Sequence, residues 1–121
     1  MIEHLPRLLA DAPAVARRAR TLRATALIEV GDRPYLLRVE NGAVSVETGP
    51  FLLPSWDFAL RAPAEEWRRF WLPVPPPGAN DLLAMMKRRV LRLEGTVHPF
   101  MANLLFYKQL LELPRRLEAR A

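Results

Sequence analysis

The chain contains no cysteine. That absence excludes a disulfide framework, a thiolate metal site and a cysteine nucleophile. Histidine and serine are nearly as scarce, because His4 and His98 are the only histidines and Ser45 and Ser55 the only serines. Ser45 lies in a strand pattern that lacks the glycines of a nucleophile elbow. Few of the side chains that enzymes commonly use are therefore present.

Motifs of the common enzyme classes are missing too. The sequence has no paired-histidine zinc motif, no Walker sequence and no dinucleotide-binding glycine pattern. Its acidic residues have structural explanations, since Asp57 lies in a strand pattern and Glu65 and Glu66 begin a helix, where acids suit the helix dipole. We predict that the protein is not an enzyme and carries no cofactor and no metal ion.

Long hydrophobic runs are also absent. No stretch reaches the ~18 consecutive apolar residues that a membrane-spanning helix needs. The first residues mix Glu3, His4, Pro6 and Arg7 with leucines, unlike a signal peptide. The composition, with 50% hydrophobic and 26% charged residues, is that of a globular protein. We predict one cytoplasmic domain spanning residues 1–121, and the excess of arginine over lysine suggests a GC-rich, bacterial genome.

The net charge of +5 raises the question of an anionic partner. Arg17, Arg18, Arg20 and Arg23 lie at the end of the first predicted helix, where cations suit the helix dipole. No basic stripe alternates with aromatic residues, so we predict no nucleic-acid binding. A solvated surface explains the charge most simply, and transient contact with an anionic membrane surface is the alternative.

The chain begins with a helical pattern and then changes to a strand pattern. Residues 1–22 form an N-terminal helical segment, predicted as two short helices that meet near Asp11, with Asp11 as cap and Pro13 in the first turn of the second. Alternating apolar positions then predict strands, and Asn41-Gly42 is a typical hairpin turn. The five predicted strands cover residues 25–30, 34–40, 43–48, 55–61 and 90–97. The first four are interpreted as an antiparallel meander, with Trp56, Phe58 and Leu60 on one face.

Two helices separate the fourth and fifth strands. The first begins near Pro63 and places Trp67, Phe70 and Trp71 on one face, at i, i+3 and i+4. A proline-rich loop follows at residues 73–78, and a short helix capped by Asn80 comes next.

The last predicted helix, Pro99 to Leu113, has almost no polar face. Phe100, Leu104, Tyr107 and Leu111 share one side, and Phe106 and Leu113 lie roughly opposite. So apolar a helix needs apolar surface on two sides. One side can be the sheet, and the other requires a second helix, a partner, a membrane or a bound ligand. A packed core and a lipophilic pocket both demand these residue types, so the pattern leaves the two open.

The order of these elements resembles the sterol carrier protein type 2 family. The resemblance rests on strand–turn–strand residues 35–46, on the strand-to-helix step around Trp56 to Trp67, and on Val90 to Thr96 before the last helix. It spans roughly residues 15–113. It implies an α+β fold in which a five-stranded, mostly antiparallel sheet is covered on one face by helices that enclose a hydrophobic tunnel. Residues 114–121 would then be a basic tail.

The resemblance also implies a ligand site and no catalytic residues. The ligand would be an apolar small molecule such as a lipid, a fatty acyl group, a sterol-like molecule or a prenylated quinone. Trp56, Asn103, Tyr107 or an arginine could orient its polar head. The residues that would line the tunnel are Phe58, Leu60, Trp67, Phe70, Trp71, Met85, Met86, Phe100, Met101, Leu104 and Leu105.

Three interpretations of function remain open. The first is non-catalytic binding or transfer of an apolar ligand by a cytoplasmic protein that also contacts membrane surfaces. The second is an accessory subunit in bacterial lipid or ubiquinone biosynthesis, with a protein partner or a homodimer seam on the C-terminal helix around Phe106 and Leu113. The third is a structural domain whose cavity has closed.

Overall fold

The structure, a computed structural model, describes residues 1–52 and 54–119, with only the backbone of Glu118 and Ala119. Its centre is a five-stranded mixed sheet in the order β3-β2-β1-β4-β5. The predicted α+β class with a mostly antiparallel sheet is confirmed, with one parallel pair. The strands are β1 Arg23–Val30, β2 Arg33–Glu40, β3 Ala43–Thr48, β4 Phe58–Ala62 and β5 Arg92–Gly95.

The first three strands form the antiparallel meander that alternation predicts. The turn between β2 and β3 uses Asn41 and Gly42 at φ of 52° and 88°, conformations that these two residue types tolerate. The fourth strand does not continue the meander. It pairs in parallel with β1, from Ala26 opposite Phe58 to Val30 opposite Ala62, so the prediction of a fourth antiparallel neighbour was wrong.

The parallel pairing requires the chain to cross the sheet between β3 and β4, and we call the described residues of this stretch, 49–52 and 54–57, the crossover segment. It packs Phe51 and Trp56 on Leu27, Leu36 and Ala59. These side chains lie on the outer face of the sheet, the face without helices. The expectation that Trp56 shares a face with Phe58 was therefore wrong, because Trp56 precedes β4 and strand alternation does not apply to it.

Helices cover the inner face of the sheet. A short 3₁₀ helix, Ile2–His4, precedes them. The predicted break near Asp11 is confirmed, but Asp11 ends the first helix and Ala12 precedes the second, so its assignment as a cap was wrong. The helices are α1 Leu5–Ala10, α2 Pro13–Arg17, α3 Ala64–Phe70, α4 Leu82–Lys87, α5 His98–Ala102, α6 Leu104–Glu112 and α7 Arg115–Ala119.

Two later boundaries also differ from expectation. The cap of α4 is Asp81, whose carboxylate accepts a hydrogen bond from the Leu83 N–H at 3.0 Å, rather than Asn80. The predicted final helix is broken at Asn103, where φ is −123° and ψ is 32°. The Asn103 side chain donates to the Pro99 carbonyl at 2.9 Å and so satisfies an end of α5.

The N-terminal helices provide the second apolar surface that the last helix requires. Both α1 and α2 lie against α6, and Arg18 Nε donates to Gln109 Oε1 at 2.9 Å across that contact. Phe106 and Leu113, expected on an exposed side, are 1% and 3% exposed. That expectation was wrong because the projection of a single helix does not show which other helices pack against it.

The start of the expected basic tail, residues 114–121, is helical as far as Ala119. Arg115 ties it to the body of the protein. Its Nε donates to the Phe70 carbonyl at 2.7 Å, and its guanidinium lies 4.6 Å from the centre of the Phe70 ring. Residues 120 and 121 lie outside the described part of the chain.

Candidate ligand-binding site

Most of the predicted tunnel residues come together between the inner face of the sheet and the helices. Six of them, Phe58, Leu60, Trp67, Phe70, Met85 and Phe100, have no exposed surface, and Trp71 is 5% exposed. Met86 and Leu104 are half-buried against the same cluster. We call these nine residues the inner cluster.

Met101 and Leu105 lie apart from the inner cluster. They are 50% and 47% exposed, and Val97, one turn before Met101, is 42% exposed. The three residues follow one another at intervals of four and form an apolar stripe on the surface of α5 and α6. We call them the exposed stripe.

Local geometry explains why the inner cluster forms. Alternation along β4 points Phe58 and Leu60 to the inner face, with Ala59 on the outer face. The spacing of Trp67, Phe70 and Trp71 places all three on one side of α3 and its C-cap, as predicted. Trp67 stacks on Trp71 with ring centres 5.3 Å apart, and it meets Phe70 edge-on at 5.8 Å.

A second aromatic group contains Tyr107, which was not among the residues expected to line the tunnel. Its ring meets Phe58 edge-on at 5.1 Å and lies 5.8 Å from Phe100 and 5.2 Å from Phe106. Phe58 and Phe100 are themselves 5.4 Å apart. Tyr107 is therefore surrounded by aromatic rings at the point where β4, α5 and α6 meet.

The polar atoms of the inner cluster are mostly paired. Trp67 Nε1 donates to the Glu29 carbonyl at 3.0 Å, and Trp71 Nε1 donates to the Leu111 carbonyl at 2.9 Å. The Tyr107 hydroxyl is the exception, because it is buried without a hydrogen-bond partner among the described residues. Burial, and to a lesser extent the negative charge of Asp57, raises the pKa of Tyr107 above its ordinary value.

Two other candidates for orienting a ligand head are placed less favourably. Trp56 lies on the outer face, where the guanidinium of Arg61 is 5.8 Å from its ring centre. The Asn103 amide already donates to Pro99.

One surface cavity reaches the inner cluster. It has a volume of about 320 Å³ and lies between the N-terminal turn, the β1–β2 hairpin and α3. Trp71 is the one predicted tunnel residue that lines it, and we call it the Trp71 cavity. Its other lining residues are Met1, Ile2, Glu3, Val30, Asp32, Arg33, Tyr35, Ala64 and Arg68.

A larger cavity of about 870 Å³ adjoins the Trp71 cavity, sharing Glu3, Asp32, Arg33 and Tyr35 with it. It extends past Leu27 on the outer face to Phe51 in the crossover segment. Strand alternation could have indicated that Tyr35 faces inward. No sequence signal places the N-terminal turn beside the hairpin, because that contact joins distant parts of the chain.

Two kinds of feature are absent from the described residues. Within residues 1–52 and 54–119, no group of three or more His, Asp and Glu side chains is arranged to hold a metal ion. Over the same residues, none of the helices combines the length and the hydrophobicity that a membrane span requires.

Solved structures share this architecture. A crystal structure of sterol carrier protein 2 matches with a TM-score of 0.73 and 18% identity, over 94% of this chain and 92% of that one. The UbiJ-SCP2 ubiquinone synthesis protein matches with a TM-score of 0.62 and 19% identity, over 95% and 88%. Sterol carrier protein 2 from Yarrowia lipolytica, in its apo form, matches with a TM-score of 0.59 and 13% identity, over 94% and 86%.

The chain has the sterol carrier protein 2 fold. This confirms at the level of fold the resemblance drawn from residues 15–113. No protein-family model and no curated protein sequence matches the chain. In this fold the inner cluster occupies the space between sheet and helices, where side chains are packed against one another.

Replacing Phe100 by alanine tests how closely that space is packed. Because Phe100 is fully buried, its removal should lower the free energy of unfolding by about 3–5 kcal/mol, measured by urea denaturation. Met101→Ala, at the neighbouring exposed position, is the matched control and should cost less than about 1 kcal/mol. A similarly small loss for both variants would show that Phe100 lines open space.

Proposed function

We propose that this protein binds an apolar molecule between the inner face of its sheet and its helices, and transfers it, without catalysing a reaction. One observation carries the proposal: nine of the eleven predicted lining residues form one apolar cluster at this place in a sterol carrier protein 2 fold. The cluster is deformable, because the unbranched side chains of Met85 and Met86 adapt to irregular shapes. Ligand entry would displace side chains that now fill the space.

The Trp71 cavity is the proposed route to the inner cluster. Trp71 forms its inner wall and also contacts the core, so a ligand that passed this side chain would meet Trp67 next. Met1 and Ile2 close the cavity from the side of the N-terminal turn. Movement of that short turn would widen the route without breaking a strand pairing.

Apolar contact would supply most of the affinity. Removing apolar surface from water contributes ~25 cal/mol per Å², part of which is spent on immobilising the ligand. Arg33 and Arg68 line the Trp71 cavity beside apolar residues, so a polar head could remain near its opening.

Native mass spectrometry of the purified protein, followed by organic extraction, tests the proposal. We expect a stoichiometric adduct that disappears on extraction, with a mass that distinguishes acyl chains, sterol-like molecules and prenylated quinones. The extracted protein should regain a ligand, seen as quenching of tryptophan fluorescence by added fatty acids or quinones. No adduct and no quenching would contradict the proposal.

The same assay can test the route through a matched pair of variants. Ala64→Trp should fill the Trp71 cavity and lower uptake severalfold, because Ala64 lines that cavity. Ala43→Trp, at an exposed position on the outer face of β3, should leave uptake unchanged. Equal uptake by both variants, with unchanged circular dichroism, would place the route elsewhere.

We also propose transient docking on anionic membranes. Arg17 and Arg20 are exposed at the end of α2, and Arg18 joins that helix to α6 through Gln109. Leu105 of the exposed stripe lies one turn before Gln109, so cationic and apolar side chains share one surface. Such surfaces bind anionic lipids through charge and shallow apolar insertion.

Vesicle sedimentation measures this contact. Binding to vesicles with 30% phosphatidylserine should exceed binding to pure phosphatidylcholine, and should weaken as salt rises from about 0.05 to 0.5 M, because the charges become screened. Arg17→Ala/Arg20→Ala should weaken it further. Arg92→Ala, which removes an exposed arginine from the outer face, is the control. Salt-independent binding would contradict electrostatic docking.

The exposed stripe favours a second candidate function, an accessory subunit in lipid or ubiquinone biosynthesis. Val97, Met101 and Leu105 would then contact a protein partner or a second copy of the chain. The 19% identical UbiJ-SCP2 structure supports this candidate only through the shared fold.

Light scattering over a range of concentrations distinguishes a self-associating chain. If the exposed stripe forms a homodimer seam, the measured mass of wild type should double at high concentration. The mass of Met101→Glu should remain that of the monomer. Leu83→Glu, at a comparably exposed apolar position outside the stripe, is the control. A monomer at all concentrations would contradict the homodimer.

A further inference from the structure

The Tyr107 hydroxyl is an unusual group in this core. Tyr107 has no exposed surface, and its oxygen has no hydrogen-bond partner among the described residues. Buried hydroxyl groups in folded proteins are nearly always hydrogen-bonded, because an unpaired one loses its bonds to water and gains nothing in return. A phenylalanine would fill the same aromatic surroundings without that loss.

The neighbouring polar groups, in contrast, have hydrogen-bond partners. Both indole N–H groups of the inner cluster donate to main-chain carbonyls, and the Asn103 amide donates to Pro99. The Tyr107 hydroxyl is therefore the polar side-chain atom of this region that remains available. Its ring lies against Phe58 and Phe100, both members of the inner cluster.

We propose that the Tyr107 hydroxyl anchors the bound ligand by donating a hydrogen bond to a neutral oxygen atom of the ligand. The inference rests on the proposed function and narrows it to one ligand class. That class is an apolar molecule with an uncharged acceptor oxygen, such as a hydroxyl, ester, ketone or quinone oxygen.

Charge argues for a neutral oxygen over a carboxylate. Tyr107 has no exposed surface, and its ring is enclosed by those of Phe58, Phe100 and Phe106. A ligand carboxylate at the hydroxyl would lose its hydration among these apolar rings, which costs far more free energy for a charged group than for a neutral one. A neutral oxygen accepts the same hydrogen bond without that cost.

The test compares two probes that differ by one oxygen, 1-decanol and n-decane. Both are supplied through the vapour phase to ligand-extracted protein, and binding is followed by tryptophan fluorescence. Tyr107→Phe should weaken decanol binding by about two- to tenfold, the range of one neutral hydrogen bond, and leave decane binding unchanged. Its melting temperature without ligand should equal or exceed that of wild type, because the unpaired hydroxyl is gone.

Ser45→Ala is the control variant. It removes one hydroxyl from an exposed position on the outer face of the sheet, remote from the inner cluster, and should leave both affinities unchanged.

Failure of the inference can be distinguished from failure of the proposed function. One outcome is that wild type binds both probes while Tyr107→Phe either weakens the binding of both equally or leaves both unchanged. In that case the hydroxyl is no anchor, and the apolar site stands. If wild type binds neither probe, the apolar site itself is overturned and the anchor with it.

Discussion

The contact between α6 and the inner face of the sheet is the interaction on which the rest of this structure depends. Tyr107 lies edge-on against Phe58 of β4, and Phe100 of α5 packs beside both. Because α6 is apolar on its other side too, α1 and α2 must cover it. The helical layer therefore follows from the need of one helix for two apolar neighbours.

In the proposed site the same residues would serve both stability and binding. The inner cluster is packed with aromatic and methionine side chains, so a bound ligand would have to displace some of them. The displacement costs contacts, and the ligand replaces them with its own. Such a balance would suit the proposed transfer, because a ligand that only substitutes for side-chain packing can also leave. Under the proposed anchoring, the Tyr107 hydroxyl, which has no partner among the described residues, would favour a ligand that carries an acceptor oxygen.

The two faces of the sheet pack against different parts of the structure. The inner face carries the helices, while the outer face holds the crossover segment and a charged group around Arg61. Arg61 pairs with Glu29 at 2.5 Å and with Glu94 at 3.1 Å, and it is therefore bonded across three adjacent strands. Gly95 lets β5 pass close to the crossover segment, because a Cβ atom there would lie 2.7 Å from the Asp57 carbonyl oxygen. The outer face thus fixes β5 beside β4, the strand that carries Phe58 and Leu60 of the inner cluster.

The sequence by itself determined the local features of this protein and the apolar residues from which the candidate site is proposed. Alternation and the Asn41-Gly42 turn depend on neighbouring residues, and so does the aromatic face of α3; all three were predictable and are confirmed. Only the tertiary structure decided the parallel pairing of β4 with β1, the outward position of Trp56 and the burial of Phe106. It also decided that Trp71 reaches a cavity beside the N-terminal turn. Each of these depends on contacts between segments far apart in the chain, and periodicity carries no information about which distant segments meet.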